Sequence, residues 1–136
     1  MEVEELSNII SNKLVANLQE LTDQFNSNKK ATRTKFFILD DLLPENLTSE
    51  IYQNFPEDSE YILKDTFREK KLDFNQSNLY KYPAVEKIVD AFLMRNVVES
   101  ISNITKINDM ESDKSLYAGG INRLDRGHFL NPHIDY

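Results

Sequence analysis

All three glycines of this 136-residue chain lie at positions 119, 120 and 127, and the only two histidines follow at 128 and 133. Glycine reaches positive φ at no steric cost, so its placement marks where a chain can reverse tightly or approach another backbone closely. The sequence before Gly119 is therefore expected to use ordinary helix, strand and turn backbone. Special backbone geometry and metal-binding chemistry are expected together in the last 18 residues.

The stretch up to residue 118 carries the periodic elements. Leu6, Ile10, Leu14, Leu18, Leu21 and Phe25 recur at steps of three and four, which predicts one amphipathic helix over 3–25. NSNKKATRTK at 26–35 has no apolar period and reads as a basic linker carrying Lys29, Lys30, Arg33 and Lys35. FFIL at 36–39 reads as a short buried strand. Pro44 suits the first turn of a helix through Leu47, Ile51 and Phe55, with Asp41 nearby as a cap and Pro56 as terminator. YILKDTFREKKLDF at 61–74 reads as one or two strands with a charged turn. Pro83 opens a helix whose stripe runs through Val85, Ile88, Phe92, Leu93, Val97, Ile101 and Ile104. KSLYAGGINRL then reads as a strand interrupted at Gly119-Gly120, where a bulge or close backbone approach is permitted. DRG at 125–127 is a turn signal, and HFLNPHIDY a final strand with Pro132 at an edge or bulge. Helices first and antiparallel strands last make an α+β chain. Two segments are expected: 1–30 as N-terminal helix and linker, and 31–136 as the domain proper.

Composition removes several function classes. Sixteen Lys and Arg stand against 23 Asp and Glu, a net charge of −7, which argues against a general nucleic-acid binder. With no cysteine there are no disulfides, thiolate zinc sites or cysteine nucleophiles, a composition that fits a cytoplasmic protein. No apolar run approaches the ~18 residues of a membrane helix, and the acidic start MEVEELSN lacks a signal-peptide layout.

The chemistry-bearing motif is His133-Ile134-Asp135. On a strand, residues two apart share a face, so His133 and Asp135 would project together while Ile134 points into the opposite layer. An imidazole nitrogen beside a carboxylate can take two adjacent positions on a divalent metal, part of the two-histidine, one-carboxylate set that suits ferrous iron. A strand-surface His–Asp hydrogen bond is the plain alternative. His128 lies five residues before His133, on the opposite face of a regular strand, and reads as a turn residue. Asp40-Asp41 reads as a strand terminator and cap, and Arg123 and Arg126 as exposed turn charges.

The segment LYAGGINRLDRGHFLNPHIDY resembles the metal-binding hairpin of the 2-oxoglutarate/Fe(II)-dependent oxygenases, on the prolyl-4-hydroxylase-like side of that superfamily. Gly127, Phe129, Leu130, Pro132, His133 and Asp135 carry the likeness. FFILDDLLPENLTSEIYQNFP is similar, less specifically, to the entry strand and helix of these enzymes, so the resemblance spans 36–136 and is sharp over 116–136. It implies a partial double-stranded β-helix (jelly roll) following the N-terminal helices, with Fe(II) held by His133, Asp135 and a distal histidine. It also implies 2-oxoglutarate and O2 as cosubstrates of a hydroxylation, with Tyr117, Asn122 and Leu124 the positions nearest the cosubstrate-binding tyrosine of related hydroxylases. The primary substrate is left open, as is a homodimer; nucleic acid and membrane are not expected as partners. In the family the distal histidine and a basic anchor for 2-oxoglutarate lie several strands after H-x-D, whereas this sequence stops at Tyr136. The expectation is thus an N-terminal portion of an oxygenase that binds iron weakly and lacks turnover by itself. The alternative is a non-catalytic interaction module on a truncated oxygenase scaffold, working through its N-terminal helix.

Overall fold

The computed structural model describes residues 1–27, 32–116 and 119–134. The sequence-predicted positions Tyr117 and Asp135, and the linker residues Lys29 and Lys30, lie outside them. The architecture is α+β: a layer of helices drawn from residues 3–105 and a small antiparallel sheet.

The N-terminal periodicity forms two helices, α1 (Val3–Ala16) and α2 (Leu18–Ser27), where one was expected. At the break, the Asn17 side chain donates to the Lys13 carbonyl at 2.8 Å, taking an acceptor that would otherwise face the next helical turn. The break lets both pieces pack: Leu6, Ile10, Leu14 and Leu21 are all buried in one cluster with Leu47, Ile88, Ala91, Val97 and Ile104. The N-terminal helix is therefore core of the main body rather than a separable arm. FFIL is not a strand. Its residues are extended, with Phe37 and Leu39 packed against the helical core and Ile38 61% exposed. The Gln24 side chain stands in for a neighbouring strand, accepting from the Ile38 N–H at 2.8 Å and donating to its carbonyl at 3.2 Å.

Pro44 sits one position outside α3 (Glu45–Gln53), and Asp41 adopts φ 54° instead of capping it. Pro83 does open a helix, α4 (Pro83–Leu93), but the stripe breaks at extended Met94 before α5 (Arg95–Thr105). No glycine or proline marks that break. It serves packing, since α4 and α5 both lie against α1. Ser11 and Ser100 share a 2.8 Å hydrogen bond, and Asn96 donates to Ser7 at 3.2 Å across the α1–α5 contact. Glycine-free backbone is also less ordinary than its sequence suggests: Arg33, Asp41, Lys106, Asp109 and Leu116 all adopt positive φ.

The sheet is built on the expected hairpin of β1 (Tyr61–Asp65) and β2 (Glu69–Phe74), closed by Thr66, whose hydroxyl accepts from the Arg68 and Glu69 amides at 3.2 Å. Beyond Gly120 the chain departs from the expected hairpin. β3 (Asn122–Arg123) and β4 (Phe129–Leu130) both pair antiparallel with the free edge of β2. Arg123 faces Leu72 and Phe129 faces Lys70, so six steps along this segment match two along β2. The two pieces are one strand from which a loop protrudes, and the segment after Leu130 leaves the sheet. Four short strands in one sheet are what is seen among the described residues; they do not make up a jelly roll.

One face of the sheet carries Phe74, which is buried with Leu79, Val85 and Ile121, its ring 6.0 Å from Tyr61 and 6.1 Å from Tyr82. Residues directly opposite in an antiparallel pair share a face, so Leu63, Leu72 and Phe129 continue that face away from the core, interleaved with the charged Asp65, Lys70 and Arg123. There it is only partly covered: Leu63 is 51% and Phe129 38% exposed. α4 joins the layers, turning Ile88 and Ala91 to the helices and Val85 to the sheet.

Candidate metal centre

The C-terminal segment is fastened to the hairpin at two points. The first is Gln76, in the 3-10 turn Gln76–Lys81, whose side-chain amide pairs with both backbone groups of Ile121 and also donates to the Phe74 carbonyl at 2.9 Å. Gly120 is what makes this contact fit. It has φ 124°, and a Cβ there would lie 2.6 Å from Gln76 Oε1 and 2.8 Å from Nε2.

The second fastening is Asn131, just past β4. Its N–H donates to the Arg68 carbonyl at 2.9 Å and its side-chain amide to the Phe67 carbonyl at 2.8 Å. Its own carbonyl lies 2.9 Å from His133 Nδ1. A carbonyl only accepts, so Nδ1 carries a proton in this contact. Ligating histidines commonly have this arrangement, with the second ring N–H on a carbonyl or carboxylate.

His133 faces an open groove of about 630 Å³ between the 66–68 turn and residues 130–134, bordered by Phe67, Arg68, Leu130, Pro132 and Ile134. Phe67 is 83% exposed, with the Arg68 guanidinium 5.6 Å from its ring centre. Ile134 is 82% exposed, so it does not enter an opposite layer, and residues 131–134 are not a strand. Proline within the run removes a ladder donor, and Asn131 spends its own on Arg68. Glu69 also lines the groove. Lys64 pairs with its Oε1 and Lys71 with its Oε2 at 3.1 Å, and these two lysines hold its carboxyl below the usual carboxylate range.

The other sequence candidates are placed elsewhere. Asn122 faces Asp73, four β2 positions from the Glu69–Leu130 pair, or about 13 Å at the rise of a strand, so it does not meet His133. Leu124 is an exposed residue at the start of the loop. Gly127, with φ 85°, sits third in a turn in which the His128 N–H donates to the Asp125 carbonyl at 2.9 Å, the position that requires positive φ in a type II turn. His128 is a turn residue, as read from spacing; its Nδ1 accepts from the Asp125 N–H at 3.0 Å. Arg123 is more than an exposed turn charge. It meets Asp125 through Nε and Nη2 at 2.8 and 2.9 Å and Asp58 through Nη1 at 2.6 Å. This bidentate contact pulls the Asp125 carboxyl below its usual range.

Among the described residues no three His, Asp or Glu side chains are grouped as a metal site; Asp135 is outside them. Nor is any described helix long and apolar enough to cross a membrane. Comparison with protein-family models, curated proteins and solved structures finds no match to this chain. Gln76 and Asn131 were not singled out by the sequence. Gln76 acts 45 residues from its partner, and the one local hint at Asn131 is its place before proline in Asn-Pro-His.

Proposed function

We propose that the chain belongs to an Fe(II)- and 2-oxoglutarate-dependent oxygenase, with His133 and Asp135 as two of its metal ligands. The observation that carries this reading is the Asn131 carbonyl on Nδ1 of His133, a residue that lines a groove, the arrangement common to ligating histidines. Iron bound there would supply open positions for a keto acid and for oxygen. The part of this chain's own residues is to hold and orient: Asn131 fixes the ring, and the 66–68 turn walls the groove with Phe67 and Arg68. A third ligand and a basic anchor for the far carboxylate of 2-oxoglutarate would come from residues other than these.

The competing reading, an interaction module working through its N-terminal helix, is disfavoured by the burial of Leu6, Ile10 and Leu14 in the core. Mn(II) added to isotope-labelled protein tests the proposal. Selective paramagnetic broadening of the amides around 130–134, lost in His133→Ala, is expected; uniform weak broadening in both proteins would refute it.

A further inference from the structure

We infer that Asn131 is the positioning residue of the metal site, setting both the direction and the tautomer of His133 through the hairpin turn. The inference rests on the reading of His133 as a ligand and goes on to say what orients it. Three groups of one residue are engaged: the N–H on the Arg68 carbonyl, the side-chain amide on the Phe67 carbonyl, and the carbonyl on His133 Nδ1. Two bonds to the same turn fix where Asn131 stands and the plane of the Leu130–Asn131 peptide; the carbonyl that meets His133 belongs to the next peptide, one φ/ψ pair away. Pro132 then removes most of the remaining freedom, because it locks its own φ and restricts the residue before it to extended backbone. The path from the β1–β2 turn to the imidazole therefore has few soft torsions. Phe67 enters it through its backbone carbonyl alone, and its exposed ring is not needed.

Asn131→Asp keeps the size and removes the amide donor to Phe67. Phe67→Ala removes the ring and keeps the carbonyl. Nitrogen-15 spectra of the neutral His133 ring read the tautomer directly, without metal. In the native chain and in Phe67→Ala, Nδ1–H should dominate. In Asn131→Asp the ring should shift toward Nε2–H, with Co(II) affinity falling about 10–100-fold, the usual effect of losing a supporting partner of a ligand. An unchanged tautomer in Asn131→Asp overturns the inference, and so does a native ring that is mainly Nε2–H, which is decisive even if the variant fails to fold. If the tautomer responds as expected but native Co(II) binding is indifferent to His133→Ala, the positioning role stands and the metal reading fails.

Discussion

Gln76 holds Ile121 as a neighbouring strand would: its Nε2 donates to the Ile121 carbonyl at 2.8 Å and its Oε1 accepts from the Ile121 N–H at 3.0 Å. Gln24 treats Ile38 in the same way. In both places one amide side chain satisfies both hydrogen-bonding groups of an extended residue that has no backbone partner there. The Gln76 clamp lies immediately before β3, so it fixes where the interrupted strand joins β2 and hence where Asn131 and His133 emerge.

Replacing Gln76 by Ala leaves partly buried backbone groups of Ile121 and Phe74 unpaired, at a cost of about 1–3 kcal/mol in chemical denaturation. Gly120→Ala should also destabilise, because it combines a positive φ with a collision against Gln76. The double variant should cost less than the sum of the two, since removing Gln76 relieves the collision. Strict additivity would contradict the clamp.

Gly127 has φ 85° and open space around the site of a Cβ, so a substitution there meets only backbone strain. Gly127→Val should cost about 1–2 kcal/mol, and Gly127→Asn clearly less, because Asn enters the left-handed region more readily. Equal losses measured by thermal unfolding would mean the turn is not held in this form.

Asp125 is held low by Arg123, and Glu69 by Lys64 and Lys71. A carboxylate whose folded pKa is depressed stabilises the fold above its unfolded value near 4, and that contribution is lost as pH falls through the lower folded value. Stability should therefore decline on acidification below about pH 4. Arg123→Gln should flatten the part due to Asp125, narrowing its gap from the native chain at low pH. Curves of midpoint against pH that stay parallel would contradict this.

Ile10 is fully buried where α1 meets α4 and α5. Ile10→Ala should cost about 2–5 kcal/mol and should loosen the whole body, not just the N-terminal helix. Hydrogen exchange gives the readout. Faster exchange confined to residues 3–16 would mean that α1 is an appendage.

Elements carried by local chemistry were legible in the sequence: the 61–74 hairpin, Pro83 at a helix start, the Gly127 turn and the close approach at Gly120. Those decided by distant partners were not. The break at Met94 has no breaker residue and follows from packing both helices on α1. FFIL has the composition of a buried strand, yet no strand lies beside it and Gln24 substitutes for one. The DRG turn promised a reversal, but β3 and β4 share an edge of β2, so the turn only ejects a loop. At the site, the H-x-D spacing named His133, while the bonds that orient it belong to Asn131 and a turn more than 60 residues earlier.

The central claim is that His133 and Asp135 bind a divalent metal, and a calorimetric titration of the chain with Co(II) tests it most directly. One saturable site is predicted, weakened at least about tenfold by His133→Ala and by Asp135→Ala and unchanged by His128→Ala. Binding that survives both substitutions, or that depends on His128 instead, would contradict the account.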